Sequence, residues 1–370
     1  MARFELLIGS AGFWARAAGD MAAARRRVLA QAMTFEGDAA GQSVANAILA
    51  APAADRRVLV DDYTRHNLND TMLVFSRDPA VAAEAEATWA MFDGLVAAGV
   101  GVRVTNPLGG NPLLFPSRNH KKLLVMDDVA WIGGINFSDH NFEWKDFMFR
   151  IEDRDVADWL AAQFDADWRG DPVYSRADFG PDLTMLGFAG GWGNVPNSGE
   201  LMDLFRGAER SIEVLSAYPT MPFTDAMAQA ARRGVEVTIH TPRTNNKPLV
   251  RDYLLATVPQ RGIRLNMLES MTHAKAALID GTTLLVGSSN FDFVSYKING
   301  EYIAVVRDPV LVAEAEARMF SLARERGTPP TADERRGWPR LKARIVLNAA
   351  NTALMLGWVG RRVMEWKRPR

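Results

Sequence analysis

The sequence predicts an α/β protein built as two tandem lobes, and three observations predict it. Residues 119–136 and 272–290 follow one script, a histidine–lysine pair, an apolar run, an acidic turn, a second apolar run and a glycine. Such self-similarity marks a repeated unit. Strand-like and helix-like patterns also alternate through both halves, which is the signature of α/β architecture. Finally, 370 residues are enough for two domains of ordinary size, each with its own core.

Taken in order, residues 24–33 and 208–217 each read as a helix end feeding a buried strand. Small-residue helices are expected over 43–50 and 225–233, followed by β-rich runs at 57–60 and 235–239. After the repeated script, Asp146 and Glu301 open further strand-like runs, 147–151 and 302–306, that end at Asp153 and Asp308. Val156, Trp159, Leu160 and Phe164 then recur at helical spacing, as do Val310, Ala313 and Ala317. The Gly/Pro-rich stretch 180–200 reads as a linker. The expected organisation is a first lobe over 1–179, the linker, a second lobe over 201–328 and a basic tail over 329–370.

Composition narrows the function. Apolar and charged fractions of 48% and 24% are those of a globular protein. The absence of cysteine excludes disulfides, thiol nucleophiles and cysteine-ligated zinc. Met1 to Ile8 carries Arg3 and Glu5 and lacks a long apolar core, so no cleavable signal peptide is expected. From Arg335 onward the chain carries ten basic residues and one acidic, Glu365. That +9, set against the chain's −1, leaves −10 on residues 1–334. So acidic a body suits nucleic acid poorly, and no nucleic-acid partner is expected.

The repeated script carries the chemistry. Residues two apart on a strand share a face, so His120 projects with Lys122 and His273 with Lys275, while Lys121 points to the far face. Asp127 and Asp280 lie seven positions beyond their histidines and should point away, which makes them structural residues of the turns. Asp280-Gly281 is a strong hairpin signal, Asp127-Asp128 a weaker one. The glycines of Gly133-Gly134 and Gly287 permit close backbone approach to a ligand. Asn136, Ser288 and Asn290 can donate hydrogen bonds to phosphate oxygens. Asp146 and Glu301 can each hold a histidine by a hydrogen bond that fixes its tautomer. This set suffices for a phosphodiester. One imidazole attacks phosphorus and the other protonates the leaving oxygen, then activates the acceptor. Lysines and amides stabilise the equatorial oxygens. No carboxylates stand at metal-binding spacing, and neither metal nor cofactor is required. The near-symmetry of the pair leaves the two roles open; His120 as nucleophile and His273 as general acid/base is the working assignment.

The twin His-x-Lys-x4-Asp stretches resemble the signature of the phospholipase D superfamily over roughly residues 20–325. The resemblance implies two α/β lobes with mixed sheets related by a pseudo-twofold axis, both motifs meeting in one cleft, and a covalent phosphohistidine. By position it places His120, Lys122, Asn136, His273, Lys275, Ser288 and Asn290 in the active site. Glu301 takes the place of the carboxylate that orients a histidine, with Asp146 parallel to it. The first half departs from the pattern in having Gly134 where the second has Ser288. Trp144-Lys145-Asp146 and Phe291-Asp292 through Glu301 are most similar to bacterial cardiolipin synthases and related phosphatidyltransferases. Phosphatidyl transfer on phospholipids follows as the expected activity. The alternatives are hydrolysis to phosphatidic acid, a nuclease or other phosphodiesterase, and a non-catalytic phospholipid-binding module. The partners are then a phospholipid and an alcohol or water acceptor. Polyphosphate kinases and tyrosyl-DNA phosphodiesterases are similar too, but their motifs lack the terminal aspartate.

Other features receive ordinary readings. His66 and His240 read as turn or core residues, His140 as a surface-loop residue with a substrate contact near Asn136 as the alternative, and the Ala/Glu series 80–87 as a solvated helix face. Trp131 and Trp159 sit at core-like positions. In the tail, residues 345–360 are uncharged but too few to span a bilayer. Basic clusters flank them, and Trp338, Trp358 and Trp366 suit a headgroup zone. The tail is therefore expected to bind an anionic membrane surface. The alternative is a C-terminal helix docked on the body. The resulting location is peripheral, on the cytoplasmic face of a bacterial inner membrane.

Overall fold

The computed structural model describes residues 3–108, 115–354 and 363–369 and divides the chain into two compact units. The first comprises Met1–Ser175 with Val359–Arg370, the second Arg176–Trp358. In the first unit β1 (Arg3–Ile8), α1 (Ser10–Ala23), β2 (Arg27–Ala32), α2 (Ala39–Ala50) and β3 (Asp55–Asp61) come in succession. A small hairpin of β4 (Asn67–Leu68) and β5 (Thr71–Met72) precedes α3 (Pro79–Ala97) and β6 (Gly101–Thr105). Then come β7 (Leu123–Met126), β8 (Val129–Gly133), α4 (Asp139–Glu143), β9 (Phe147–Glu152) and α5 (Arg154–Arg169).

The second unit starts with β10 (Ser175–Phe179) and β11 (Leu183–Phe188), then α6 (Asn194–Asn197), α7 (Gly199–Gly207) and β12 (Ser211–Ser216). It continues through α8 (Phe223–Arg232), β13 (Glu236–Pro242), α9 (Pro248–Thr257), β14 (Arg264–Leu268), β15 (Lys275–Ile279) and β16 (Thr283–Gly287). The last elements are α10 (Phe293–Lys297), β17 (Glu301–Val306), α11 (Pro309–Ala315), α12 (Leu322–Arg326) and α13 (Trp338–Ala353). A final strand, β18 (Val363–Glu365), belongs to the first unit, where it pairs antiparallel with β6.

The sheets share one topology. The first runs β1-β9-β8-β7-β2-β3-β6 and the second β11-β17-β16-β15-β12-β13-β14, with β18 and β10 added at opposite ends of that order. In each, three neighbouring strands are parallel (β2-β3-β6 and β12-β13-β14) and the rest antiparallel. These are the expected mixed α/β sheets. The repeat begins one strand earlier than the sequence suggested, at β1 and β11.

That strand corrects the expected linker. Within 180–200, Leu183–Phe188 is wholly buried and pairs with β17, placing Phe188 opposite Glu301. Glycines and prolines flank this apolar run and mark its ends as turns, but the run itself has the burial of a central strand.

Helix faces follow apolar spacing with one exception. Asp153 caps α5 by accepting from the Asp155 and Val156 N–H groups, and Gly170 closes it in the left-handed region at φ 85°. Val156, Leu160 and Phe164 are buried on its inner face, each contributing about 1.5–3 kcal/mol. In α11 the buried residues are Leu311, Val312 and Ala315, whereas Val310 is 76% exposed and Ala313 and Ala317 face solvent. Two spacings fit that helix, and the face with the larger side chains is the one buried. Within 80–87, Val81 and Ala85 are buried, so only part of that face is solvated.

The tail divides into two parts. Residues 338–353 form α13, which packs against α9. Trp366 is not a headgroup residue: its ring lies 4.5 Å from that of Phe92, its Nε1 donates to Asp93 at 2.9 Å, and it joins the first unit's core. Trp358 and the basic Arg361 and Arg362 lie outside the described residues. Among the described residues no helix is long and apolar enough to cross a membrane.

Candidate active site

Antiparallel pairing gathers the repeated motifs at one end of each sheet. β7 runs antiparallel to β2 and β8, so the residues just before β7 lie beside the carboxyl ends of β2 and β8 and the start of β9. His120, Lys122, Asn136 and Asp146 come together there. The second unit repeats this with His273, Lys275, Ser288, Asn290 and Glu301 around the start of β15, the end of β16 and the start of β17. Each unit therefore carries one copy of the motif cluster, a half-site of the repeat.

In both half-sites the lysine folds back on its histidine. Lys122 Nζ donates to the His120 carbonyl at 2.8 Å, and Lys275 Nζ to the His273 carbonyl. His120, Lys122, His273 and Lys275 are all buried. Lys121 is buried as well, but it is directed to α5, where Nζ lies 2.8 Å from Asp167. The Tyr218 ring meets the His273 ring edge-on at 5.8 Å.

Asp127 and Asp280 sit beyond the other end of their strands. The Asp127 carboxylate accepts from the backbone N–H groups of Arg25, Arg26 and Arg27 at 2.8–3.0 Å. Asp280 accepts from those of Glu209, Arg210 and Ser211 at 2.7–3.2 Å. Burial acts to raise both carboxyls, and the backbone N–H bonds outweigh it and hold them below the usual range. Both residues adopt left-handed backbone, φ 51° and 55°, where aspartate is tolerated. Each ties the turn after the motif strand to the start of a neighbouring strand.

The glycines have a different use from the one expected. A Cβ on Gly133 would lie 2.4 Å from the Phe147 carbonyl oxygen, and one on Gly287 would lie 2.1 Å from that of Tyr302. What approaches closely is the neighbouring strand. Gly134 explains the departure from the repeat: its Cβ would lie 2.3 Å from the Asp146 carboxylate. In the second half Ser288 occupies this position, and its Oγ donates to the longer Glu301 while accepting from the Tyr302 N–H at 3.0 Å. Glycine with aspartate and serine with glutamate are thus matched pairs.

The two amides differ in how they are held. Asn136 Oδ1 accepts from Thr34 N, and its Nδ2 donates to Asn141 Oδ1, both at 3.3 Å. Asn290 receives a bond from Ser216 Oγ on its backbone carbonyl, while its side-chain Oδ1 is buried without a hydrogen-bond partner among the described residues.

Several supporting residues escaped sequence reading. The fully buried Asp61, at the end of β3, accepts from Asn119 N at 2.6 Å, Arg118 at 2.9 Å and Asn106 at 3.0 Å. It thereby fixes the two residues before His120. Ser295 donates to Glu301 Oε1 at 2.7 Å and accepts from Asn290 N at 3.3 Å. Asp292 caps α10 through Ser295 N at 2.7 Å. Burial first, and the Glu301 charge as well, push its carboxyl up to about 6. The spacing Asp292-x-x-Ser295 is a helix-start signal that could have flagged it. Tertiary structure also collects Glu36, Asp38 and Glu84, whose oxygens lie within 4.8 Å of one another. Burial first, then a hydrogen bond with Glu84, push the Glu36 carboxyl up to about 9.

Of the other histidines, His240 is fully buried between Glu213 and Asn266, and His66 bonds Asp62 at 3.1 Å. His140 is not a surface-loop residue. It lies on α4 against Ser138 and Asn141, mostly buried, and burial lowers its pKa.

A family model described as "Cardiolipin synthase, PLD-like domain" matches residues 19–168 and 201–322. The chain belongs to this phospholipase D-like family. Cardiolipin synthase 1 of Staphylococcus aureus (strain COL) is 27% identical over 226 residues, 54% of this chain and 45% of its own length. Cardiolipin synthase A of Proteus mirabilis is 25% identical over 245 residues, 59% of this chain and 50% of its own. The chain spans about half the length of the curated relatives it matches. Among solved structures, phosphatidylserine synthase of Haemophilus influenzae Rd KW20 superposes with a TM-score of 0.72 at 15% identity, covering 96% of this chain and 95% of that one. That likeness shows the fold.

Proposed function

We propose that the chain transfers a phosphatidyl group between phospholipids, or from a phospholipid to an alcohol, through a phosphohistidine. One observation carries the reading: each unit presents a buried His-x-Lys at the equivalent end of its own sheet, with the lysine folded onto the histidine's carbonyl. The similarity to cardiolipin synthases supports phospholipid as substrate.

In the first step a neutral imidazole nitrogen of His120 attacks phosphorus. The P–O bond to the departing alcohol breaks, and the imidazolium of His273 gives that oxygen its proton. In the second step the acceptor hydroxyl returns a proton to His273 and attacks phosphorus, releasing His120. Lys122 and Lys275 offset charge on the equatorial oxygens, assisted by Asn136 and Asn290. Asp146 and Glu301 orient the histidines. Water in place of the alcohol gives phosphatidic acid, so acceptor choice separates transfer from hydrolysis. The site of action is a membrane surface, on the cytoplasmic face of a bacterial inner membrane.

The test is to incubate the chain with phosphatidylglycerol labelled in the phosphatidyl phosphate, quench, and map the label. With a labelled nitrophenyl phosphatidyl diester, whose leaving group needs no general acid, His273→Asn should accumulate label on His120, while His120→Asn should take up none. Label on His273 reverses the roles. No label and no lipid turnover, with cleavage of single-stranded DNA instead, overturns the reading.

A further inference from the structure

Over residues 338–347 helix α13 carries apolar side chains on two opposite sides. Its inner side buries Ala343 and Leu347 where it packs on α9, and Arg340 is pinned there to Asp252 at 2.9 Å. At 100° per residue, Trp338, Leu341 and Ile345 fall on the outer side. They are 68%, 50% and 55% exposed. A helix fixed to its body by one face has no folding reason to carry a second apolar stripe, so the stripe implies a partner.

Charge identifies that partner. Between Arg335 and Leu354 there are five cations and no acidic residue. Arg340 is engaged inward, whereas Arg335, Arg336, Lys342 and Arg344 are exposed and form no ion pair among the described residues. A second copy packed on this face would set like charges against each other. An anionic lipid surface matches both features, since apolar side chains enter the acyl boundary while cations meet phosphates.

We propose that the outer face of α13, centred on Trp338, Leu341 and Ile345, docks the protein flat on an anionic bilayer. The proposal rests on the phospholipid reading of the site, and of the tryptophans expected at the headgroups it keeps Trp338 and drops Trp366, which is committed to the core. Because the inner face stays on α9, the helix lies in the membrane plane and holds the second unit at the surface where its substrate resides.

The whole chain is used for the test, with phosphatidylglycerol and phosphatidylcholine vesicles and sedimentation as the readout. Binding to phosphatidylglycerol alone is expected. The variant Leu341→Ser/Ile345→Ser should weaken it by about tenfold or more. Lys342→Glu/Arg344→Glu should weaken it by about fivefold or more per cation. Both should still turn over a short-chain, monomeric diester as the parent chain does. Because the sequence has no cysteine, Ile345→Cys can carry a single environment-sensitive fluorophore. Its emission should shift to the blue on anionic vesicles, while a label at Ala317→Cys should not respond. Undiminished binding by both double variants, a water-exposed label at 345, or a lipid-free dimer that the serine variant dissolves would each overturn the proposal. Vesicle binding through this face without phospholipid turnover would sink the functional reading and leave the surface standing.

Discussion

Replacing Gly134 by serine asks whether the two half-sites are interchangeable parts or separately matched pairs. The new Cβ would stand 2.3 Å and 2.4 Å from the two carboxylate oxygens of Asp146. One group must therefore move by about an ångström in a packed interior. Asp146 is 3% exposed, and its Oδ1 accepts from Phe147 N at 2.8 Å. Overpacking of this kind costs about 1–3 kcal/mol. Forfeiting a buried hydrogen bond adds about 1–3 kcal/mol more. Together they should lower the melting temperature by several degrees, at about 2–4 °C per kcal/mol for a unit of this size. Turnover should fall with it, since Asp146 opens the strand beside the first half-site. The second unit indicates the remedy, because Ser288 coexists there with Glu301, one methylene longer. Gly134→Ser/Asp146→Glu should recover part of the loss. Thermal unfolding and initial rates of the four proteins form a double-mutant cycle with an expected coupling of about 1–3 kcal/mol. A neutral Gly134→Ser, or strictly additive effects, would refute the matched-pair argument.

Two other perturbations probe the supports of the site. Asp61→Asn keeps the shape but removes the charge facing Arg118 and one acceptor from the segment before His120. Breaking a buried ion pair costs about 3–5 kcal/mol, and the misplaced histidine should lower kcat by about 100-fold with KM little changed; an Asn variant with parental kcat shows that the network does not position His120. The pH dependence of stability reads Glu36. Its folded carboxyl is raised to about 9 from 4.5, so that contribution is fully present below about 4.5 and is lost as pH rises toward 9. Between those limits stability should fall by at most about 1.4 kcal/mol per pH unit from this group. Glu36→Gln, which can still donate to Glu84, should flatten that slope in urea titrations at pH 5, 7 and 9, and an unchanged slope rejects the assignment.

What was legible in the sequence is what repeats or what a single strand encodes. The histidine–lysine pairs, the strands that follow them, the acidic residues opening the next strands and the tandem α/β plan all follow from alternation and spacing within short segments. What was illegible depends on pairing between distant segments. Asp61 looks like a strand end until β3 is set beside the residues before β7. Gly133 and Gly287 look like ligand-approach glycines until β9 and β17 are laid against them. The linker reading failed because β11 is a lone apolar run whose partner lies more than a hundred residues on, at β17.

The same logic shows why the two halves were free to diverge where they did. The backbone path at the motif is held by contacts that both halves share: an aspartate tying the turn to the neighbouring strand, and a glycine pressed on the next strand's carbonyl. With the path fixed, position 134 and its counterpart 288 need only fill the same space in combination with the acid that faces them. A short acid leaves room for no side chain, and a long acid leaves a gap that a hydroxyl fills while satisfying the carboxylate. The unequal carboxylates therefore stand in different surroundings. Asp146 Oδ1 takes a backbone N–H, while Glu301 takes the hydroxyls of Ser288 and Ser295. Under the proposed transfer, in which the two imidazoles take different roles, their environments must be unequal, and these matched pairs offer a structural source for the inequality.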